Sequence, residues 1–121
     1  MEQSTDMYAI NFYSDLYLDY LRTNRKSLTI RLGDKTEKYR DGEIVWITVW
    51  QRFGRRQKLF SAIIDRVDVE TIAELSPREI ERENPEFRAA ADVSALLSRI
   101  YGETVTTEHL VTVVHFSPID E

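Results

Sequence analysis

Two β-branched and aromatic runs, residues 43–50 and 59–69, flank the polar segment Gln51-Arg-Phe-Gly-Arg-Arg56. No other feature narrows the choice of folds as far. Val, Ile, Thr and Trp crowd the preceding turn of a helix but suit a pleated, half-buried surface. The short polar break carries Gly54, so the two runs read as an antiparallel hairpin. A lone hairpin buries too little to be stable in water, so further strands must join it. Three segments qualify. Residues 8–12 place Tyr8, Ile10 and Phe12 on one face. Residues 27–31 alternate, with Leu28 and Ile30 inward and Ser27, Thr29 and Arg31 on the other face. Residues 110–116 form a closing strand before Pro118.

The remaining chain carries helix signals. Ser14 is a candidate N-cap, with Asp15 in the first turn, for a helix reaching Arg22 with Leu16, Tyr17, Tyr20 and Leu21 on its apolar face. Residues 32–42 form a charged loop with Gly33 and the turn pair Asp41-Gly42. Ser76, Pro77 and Glu79 form a capping box with proline at the first helical position. Pro85 begins another helix, with Phe87, Ala91, Val93, Leu96, Leu97 and Ile100 as its buried stripe and Gly102 as its stop. Few strands with long connections predict an α+β fold, a small, partly closed β-barrel carrying helices on its rim. One domain, residues 8–117, is expected between a flexible N-terminal tail, 1–7, and a short C-terminal tail, 118–121. At 42% hydrophobic and 31% charged, the 121 residues have globular composition. The absence of cysteine excludes disulfides, thiolate zinc sites and thiol nucleophiles. The longest uncharged apolar run, residues 44–50, is too short to span a bilayer. The acidic first residues lack the order of a signal peptide, and a cytoplasmic protein with no membrane partner is expected.

The net charge of −5 conceals an asymmetry. Residues 22–66 hold 12 of the 16 basic side chains and 5 of the 21 acids, a local +7, while residues 1–21 carry −4 and residues 67–121 carry −8. The total disfavours indiscriminate binding to nucleic acid, but a ligand feels the local field.

Within the basic stretch, Arg25-Lys-Ser-Leu-Thr-Ile-Arg31 sets three cations beside two hydroxyls. Such a cluster suits a phosphate or a developing oxyanion. Neighbouring cations also lower a lysine's pKa and make Lys26 a candidate base. The same pattern equally describes an amphipathic strand with a solvated basic face, and pattern alone favours that plainer account. Glu81-Arg-Glu-Asn84 ends the first proline-initiated helix. Its two carboxylates do not share a helix face, so only one can serve a given site. That one could be a general acid or base, or the partner of Lys26; otherwise the segment is a solvated helix end. Arg52, Arg55, Arg56 and Lys58, interleaved with Trp50 and Phe53, suit a phosphate backbone with unstacked bases, or else a solvent-facing turn. His109 and His115 form no pair at helical spacing and no acidic cluster has ligand spacing, so neither a metal nor a cofactor is expected. The isolated glycines exclude a P-loop and a dinucleotide fingerprint.

Taken in order, these pieces resemble an ASCH domain, a branch of the PUA-like barrels. The resemblance runs from Phe12 through Lys26-Ser-Leu-Thr-Ile-Arg31, the turn at Gly42, Ser61-Ala-Ile-Ile64 and Glu81-Arg-Glu-Asn84 to Ile100-Tyr101 and the closing strand. It covers residues 8–117, and the basic run is its most specific part. It implies an RNA-related module. Some bacterial members are acetylcytidine amidohydrolases, and matching their motif implies Lys26, Thr29 and Glu83 as catalytic residues, with Arg31 holding the substrate. Thr29 would then attack an amide carbonyl, Lys26 take its proton, and Glu83 manage protons on the leaving amine. Lys26 and Thr29 have opposite parity, so they converge only if the chain bends between residues 26 and 28.

The expected function is binding of RNA or a modified nucleoside in a basic cleft formed by Arg25, Ser27, Arg31, Arg52, Arg55, Arg56 and Lys58. The alternative is amide hydrolysis on an acetylated cytidine through Lys26, Thr29 and Glu83. Ribonuclease activity ranks below both, since no histidine pair supports it.

Overall fold

The structure, a computed structural model, describes residues 9–12, 17–23, 26–50 and 55–119. The expected hairpin is its centre. Strand β3 (Ile44–Trp50) pairs antiparallel with β4 (Arg56–Thr71), matching Val45 to Ala62 and Val49 to Gln57. At 16 residues β4 is longer than the apolar run that signals it. Its first half serves β3, and residues from Ala62 onward pair with β5 (Leu110–Pro118). Register shifts at Ile47/Thr48 and at Ile64/Arg66 accompany this change of partner. Such irregularities bend and twist a strand, which lets one strand turn a corner of a barrel.

Strand β1 (Ala9–Phe12) adds in parallel to β3, and β2 (Leu28–Leu32) adds antiparallel to β5. The five-stranded order is therefore β1-β3-β4-β5-β2, a curled half-barrel with β1 and β2 at its edges. The α+β fold matches the sequence expectation. Helix α1 (Leu18–Arg22) links the first two strands, while a 3-10 turn (Ile72–Glu74), α2 (Pro77–Glu83) and α3 (Ala90–Tyr101) fill the long β4–β5 connection.

Both faces of β2 and β5 are covered, whereas the outer face of β3 and β4 is open, with Ile44, Trp46 and Ile63 exposed. One core gathers Ile10, Phe12, Val45, Ile47, Ile64 and Phe116, and Leu21 of α1 joins it. The other sets Leu28, Ile30, Val111 and Val113 against Ile80 of α2 and Val93 and Leu97 of α3. Val113 and Val114, adjacent in β5, belong to different cores, as the two-residue period requires.

Several local expectations are realised. Ser76 accepts from the Glu79 N–H at 3.1 Å while Glu79 accepts from the Ser76 N–H at 2.8 Å, and Gly102 ends α3 at φ +68°. Others change. Helix α3 starts at Ala90 rather than Pro85, because Asn84 and Asp92 impose turns first. The Asn84 side chain accepts from the Glu86 N–H at 2.9 Å, and Asp92 accepts from the N–H groups of Arg88 and Ala89. Ala91 and Ile100 are exposed rather than part of a buried stripe. Strand β5 runs past Phe116 to Pro118, and the Ile119 N–H donates to the Ser61 carbonyl, so the sheet extends into residues expected as tail. The expected N-terminal tail, the Ser14 cap with Asp15 and Leu16, and the hairpin tip with Arg52 lie outside the described residues. Among the described residues no helix is long and apolar enough to cross a membrane.

Candidate functional site

The two edge strands approach each other, and α2 delivers a carboxylate to the seam between them. Glu83 is the last residue of α2 and is only 4% exposed, so it is not a solvated helix end. Because β2 is an edge strand, its Ile30 N–H is free of the ladder and donates to Glu83 Oε1 at 3.1 Å. Lys26 Nζ donates to Glu83 Oε2 at 2.9 Å and to the Glu83 carbonyl at 2.6 Å. Lys26 is fully buried, with Nζ 4.7 Å from the Tyr17 ring centre and 5.3 Å from that of Phe12. A buried ammonium is tolerable only when paired and hydrogen-bonded, and this one has a carboxylate, a carbonyl and two aromatic faces. Burial pushes the Lys26 pKa down, Glu83 opposes that shift, and Arg31 adds to it. Burial and the Glu83 charge push the Tyr17 phenol up, so it stays protonated.

Thr29 is buried and pairs with Val114 of the first core, on the face opposite Leu28 and Ile30. It lines a cavity of about 530 Å³ together with Glu83, Arg31, Tyr17 and Phe12. Lys26 precedes β2 and so is not bound by its pleat, but it does not line this cavity and reaches it only through Glu83. Arg31 donates to the Asn11 carbonyl at 2.9 Å and stacks over Phe12, tying β2 to β1 across the seam.

The structure thus joins Lys26 to Glu83 and sets Thr29 and Arg31 on one cavity with Glu83. It separates the rest of the basic set. Ser27 lines a different cavity, on the side of α2 where Glu79 lies. Arg55, Arg56 and Lys58 are exposed where β4 begins and line neither cavity, and Lys58 lies 5.4 Å from the Trp46 ring centre. Arg25 and Arg52 lie outside the described residues.

Sequence reasoning missed the outer wall. Lys35 and Lys38 of the charged loop, buried Tyr39 beneath them, and Arg99 and Tyr101 of α3 line the same cavity. The loop is pinned by buried Thr112 of β5, which accepts from the Lys35 N–H at 2.8 Å and donates to the Gly33 carbonyl at 2.6 Å. The local charge excess counted these lysines, but nothing in their spacing pointed them at the basic run. Chemically, the cavity offers a hydroxyl, a carboxylate backed by a buried amine with a lowered pKa, aromatic walls and a basic mouth. That set suits a flat, polar, uncharged or anionic ligand.

No family model and no curated protein matches the chain. Solved structures do. An ASCH domain from Lactobacillus crispatus aligns with TM-score 0.69 and 16% identity over 94% of this chain and 80% of that one. A DUF984 protein from Enterococcus faecalis aligns with TM-score 0.70 and 13% identity over 97% and 83%. The hypothetical protein PH0355 aligns with TM-score 0.66 and 17% identity over 93% and 100%. At these identities the likeness is one of fold, and the chain has an ASCH-like fold.

Proposed function

We propose that the seam cavity binds a nucleoside-type ligand and hydrolyses an exocyclic amide on its base, an acetylated cytidine being the reference substrate. The observation that carries this reading is the Glu83 carboxylate, which lines one cavity with Thr29 and is bonded from behind by the fully buried Lys26. Structural frames rarely spend a buried lysine and a buried carboxylate where apolar residues would pack as well. In the proposed sequence the Thr29 hydroxyl attacks the amide carbonyl and its proton passes to Lys26 in its neutral form. The carbon–nitrogen bond breaks, and the leaving amine takes a proton through Glu83. Water then cleaves the acyl-threonine ester and releases acetate. Arg31, fixed across the seam, offers its cation to the polarised carbonyl or to a ring oxygen. The aromatic walls of Tyr17 and Phe12 suit a planar base.

Lys35, Lys38 and Arg99 around the same cavity favour a second reading, in which the nucleoside is part of RNA and the site binds without turning over. Incubating the purified chain with acetylcytidine and following cytidine and acetate separates the two. Turnover that disappears in Thr29→Val and Glu83→Gln supports hydrolysis. Saturable binding of acetylcytidine-containing RNA, weakening steeply with salt and without acetate release, supports binding alone. Neither turnover nor binding overturns both.

A further inference from the structure

The second cavity, about 820 Å³, lies beyond the start of β2 from the first and is bordered by Ser27, Arg66, Glu70, Glu79, Arg82 and His115. Three donors from three elements meet beside it. Asp68 comes from β4, Glu79 from α2 and His115 from β5, and their ligand atoms all lie within 4.8 Å of one another. His115 Nε2 stands 3.7 Å from Asp68 Oδ2 and 3.9 Å from Glu79 Oε2. Two donors bound tetrahedrally at the usual zinc distances stand roughly 3.4 Å apart, so the two histidine–carboxylate pairs need a contraction of a few tenths of an ångström, and the Asp68–Glu79 pair, which lies within 4.8 Å, about 1.4 Å at the most.

The donor atoms face one another, and two of them already meet a cation. Glu79 Oε1 is engaged by the Ser76 N–H, which leaves Oε2 for the cluster. His115 Nε2 lies 3.3 Å from Arg66 Nη2, and that contact requires the ring nitrogen to be the acceptor, its metal-binding form. The same guanidinium donates from Nε to Asp68 Oδ2 at 2.7 Å. A cation therefore already sits between the aspartate and the histidine. Its side chain is 60% exposed and can swing into water when a smaller, doubly charged ion takes its place.

We propose that Asp68, Glu79 and His115 bind a divalent transition-metal ion that clamps α2 onto β4 and β5. One imidazole and two carboxylates select zinc-like ions over calcium, which prefers six to eight oxygens. The remaining positions go to water or to Glu70, which adjoins Glu79 on the same cavity. Sequence spacing could not show this site, because the donors lie at positions 68, 79 and 115 and only the fold assembles them.

The test is titration of the metal-stripped full chain with zinc chloride by calorimetry, and with cobalt chloride by visible absorption. One ion per chain, a raised Tm, and cobalt bands that vanish in His115→Ala support the site. Glu79→Gln should weaken binding at least tenfold while keeping the helix cap, since glutamine serves in a capping box. His109→Ala, at a turn away from the cluster, should bind as the parent does. Circular dichroism of each variant reports whether it is folded. Absence of binding at millimolar zinc, or equal binding by folded His115→Ala, overturns the proposal.

Discussion

Replacing Lys26 by methionine removes the charge and keeps most of the volume, so it isolates the Lys26–Glu83 pair. At 2.9 Å and an effective dielectric near 20, the Coulomb attraction is about 6 kcal/mol. Desolvation of two ions costs several kcal/mol each, so the intact pair contributes little net stability. Breaking it is different. In Lys26→Met the Glu83 carboxylate keeps the Ile30 N–H and the Tyr17 hydroxyl but stays buried without its ammonium partner. An uncompensated buried charge of this kind costs about 3–5 kcal/mol. A chain of this length has a stability on the order of 6–18 kcal/mol, so the variant folds with a reduced margin.

Urea unfolding checks the value, because a loss of that size moves the midpoint by roughly 1.5–3 M at ordinary slopes. The double variant Lys26→Met/Glu83→Gln removes both charges and keeps an acceptor for Ile30. It should recover at least half of the loss, a coupling of about 2 kcal/mol or more. A single-variant loss below about 1 kcal/mol, or additivity within about 0.5 kcal/mol, would refute the buried pair as the organiser of the site.

Thr29→Val should lower acetylcytidine hydrolysis by about a thousandfold or more and change stability by only about 1 kcal/mol, because one hydroxyl is exchanged for a methyl; steady-state assays and urea curves read both. Gly42→Ala should cost about 1–2 kcal/mol through its φ of +83° alone, since nothing lies within 4 Å of the added carbon; a neutral substitution would contradict the left-handed turn. Lys26, lowered from 10.5, sheds its proton in the folded chain at a pH where the unfolded chain still holds it. Stability should therefore rise with pH between the lowered value and 10.5, and Lys26→Met should lose that slope in urea midpoints taken from pH 7 to 10. Tyr17, raised from 10.0, opposes the trend only above that pH.

Much of the fold was legible because its determinants are local. The β-branched runs specified β3, β4 and β5, and Ser76, Pro77 and Glu79 set the start of α2 to the residue. The choice of Glu83 over Glu81 was legible only through the family resemblance. The burial of Glu83 depends on β2 presenting a free edge N–H, and edge position is a property of the whole sheet. The parallel β1–β3 pair and the handover of β4 from β3 to β5 are long-range choices of the same kind. The plainer account of the basic run as a solvated face fails at Lys26 and Thr29. Both faces of β2 are covered, one by α2 and α3 and the other by the barrel interior with α1, and a single strand's alternation cannot report a second layer.

The acidic C-terminal half is put to use through the axial position of one helix. Glu79 and Glu83 are four residues apart on α2, one turn, yet Glu79 borders the cavity shared with His115 and Glu83 the cavity shared with Thr29. The start of β2 divides them, Ser27 and Leu28 on the first side, Thr29 and Ile30 on the second. A slip of α2 by one turn, about 5.4 Å, would carry Glu83 to the place of Glu79 and leave Lys26 buried without a carboxylate. Three features oppose the slip. The Ser76 box with Pro77 fixes the first turn, Ile80 is buried in the second core between the two glutamates, and the Asn84 turn ends the helix directly after Glu83. A metal on Glu79 would add a fourth restraint at the far side of the same turn. The capping signals most easily read in the sequence therefore place the carboxylate that is hardest to read there.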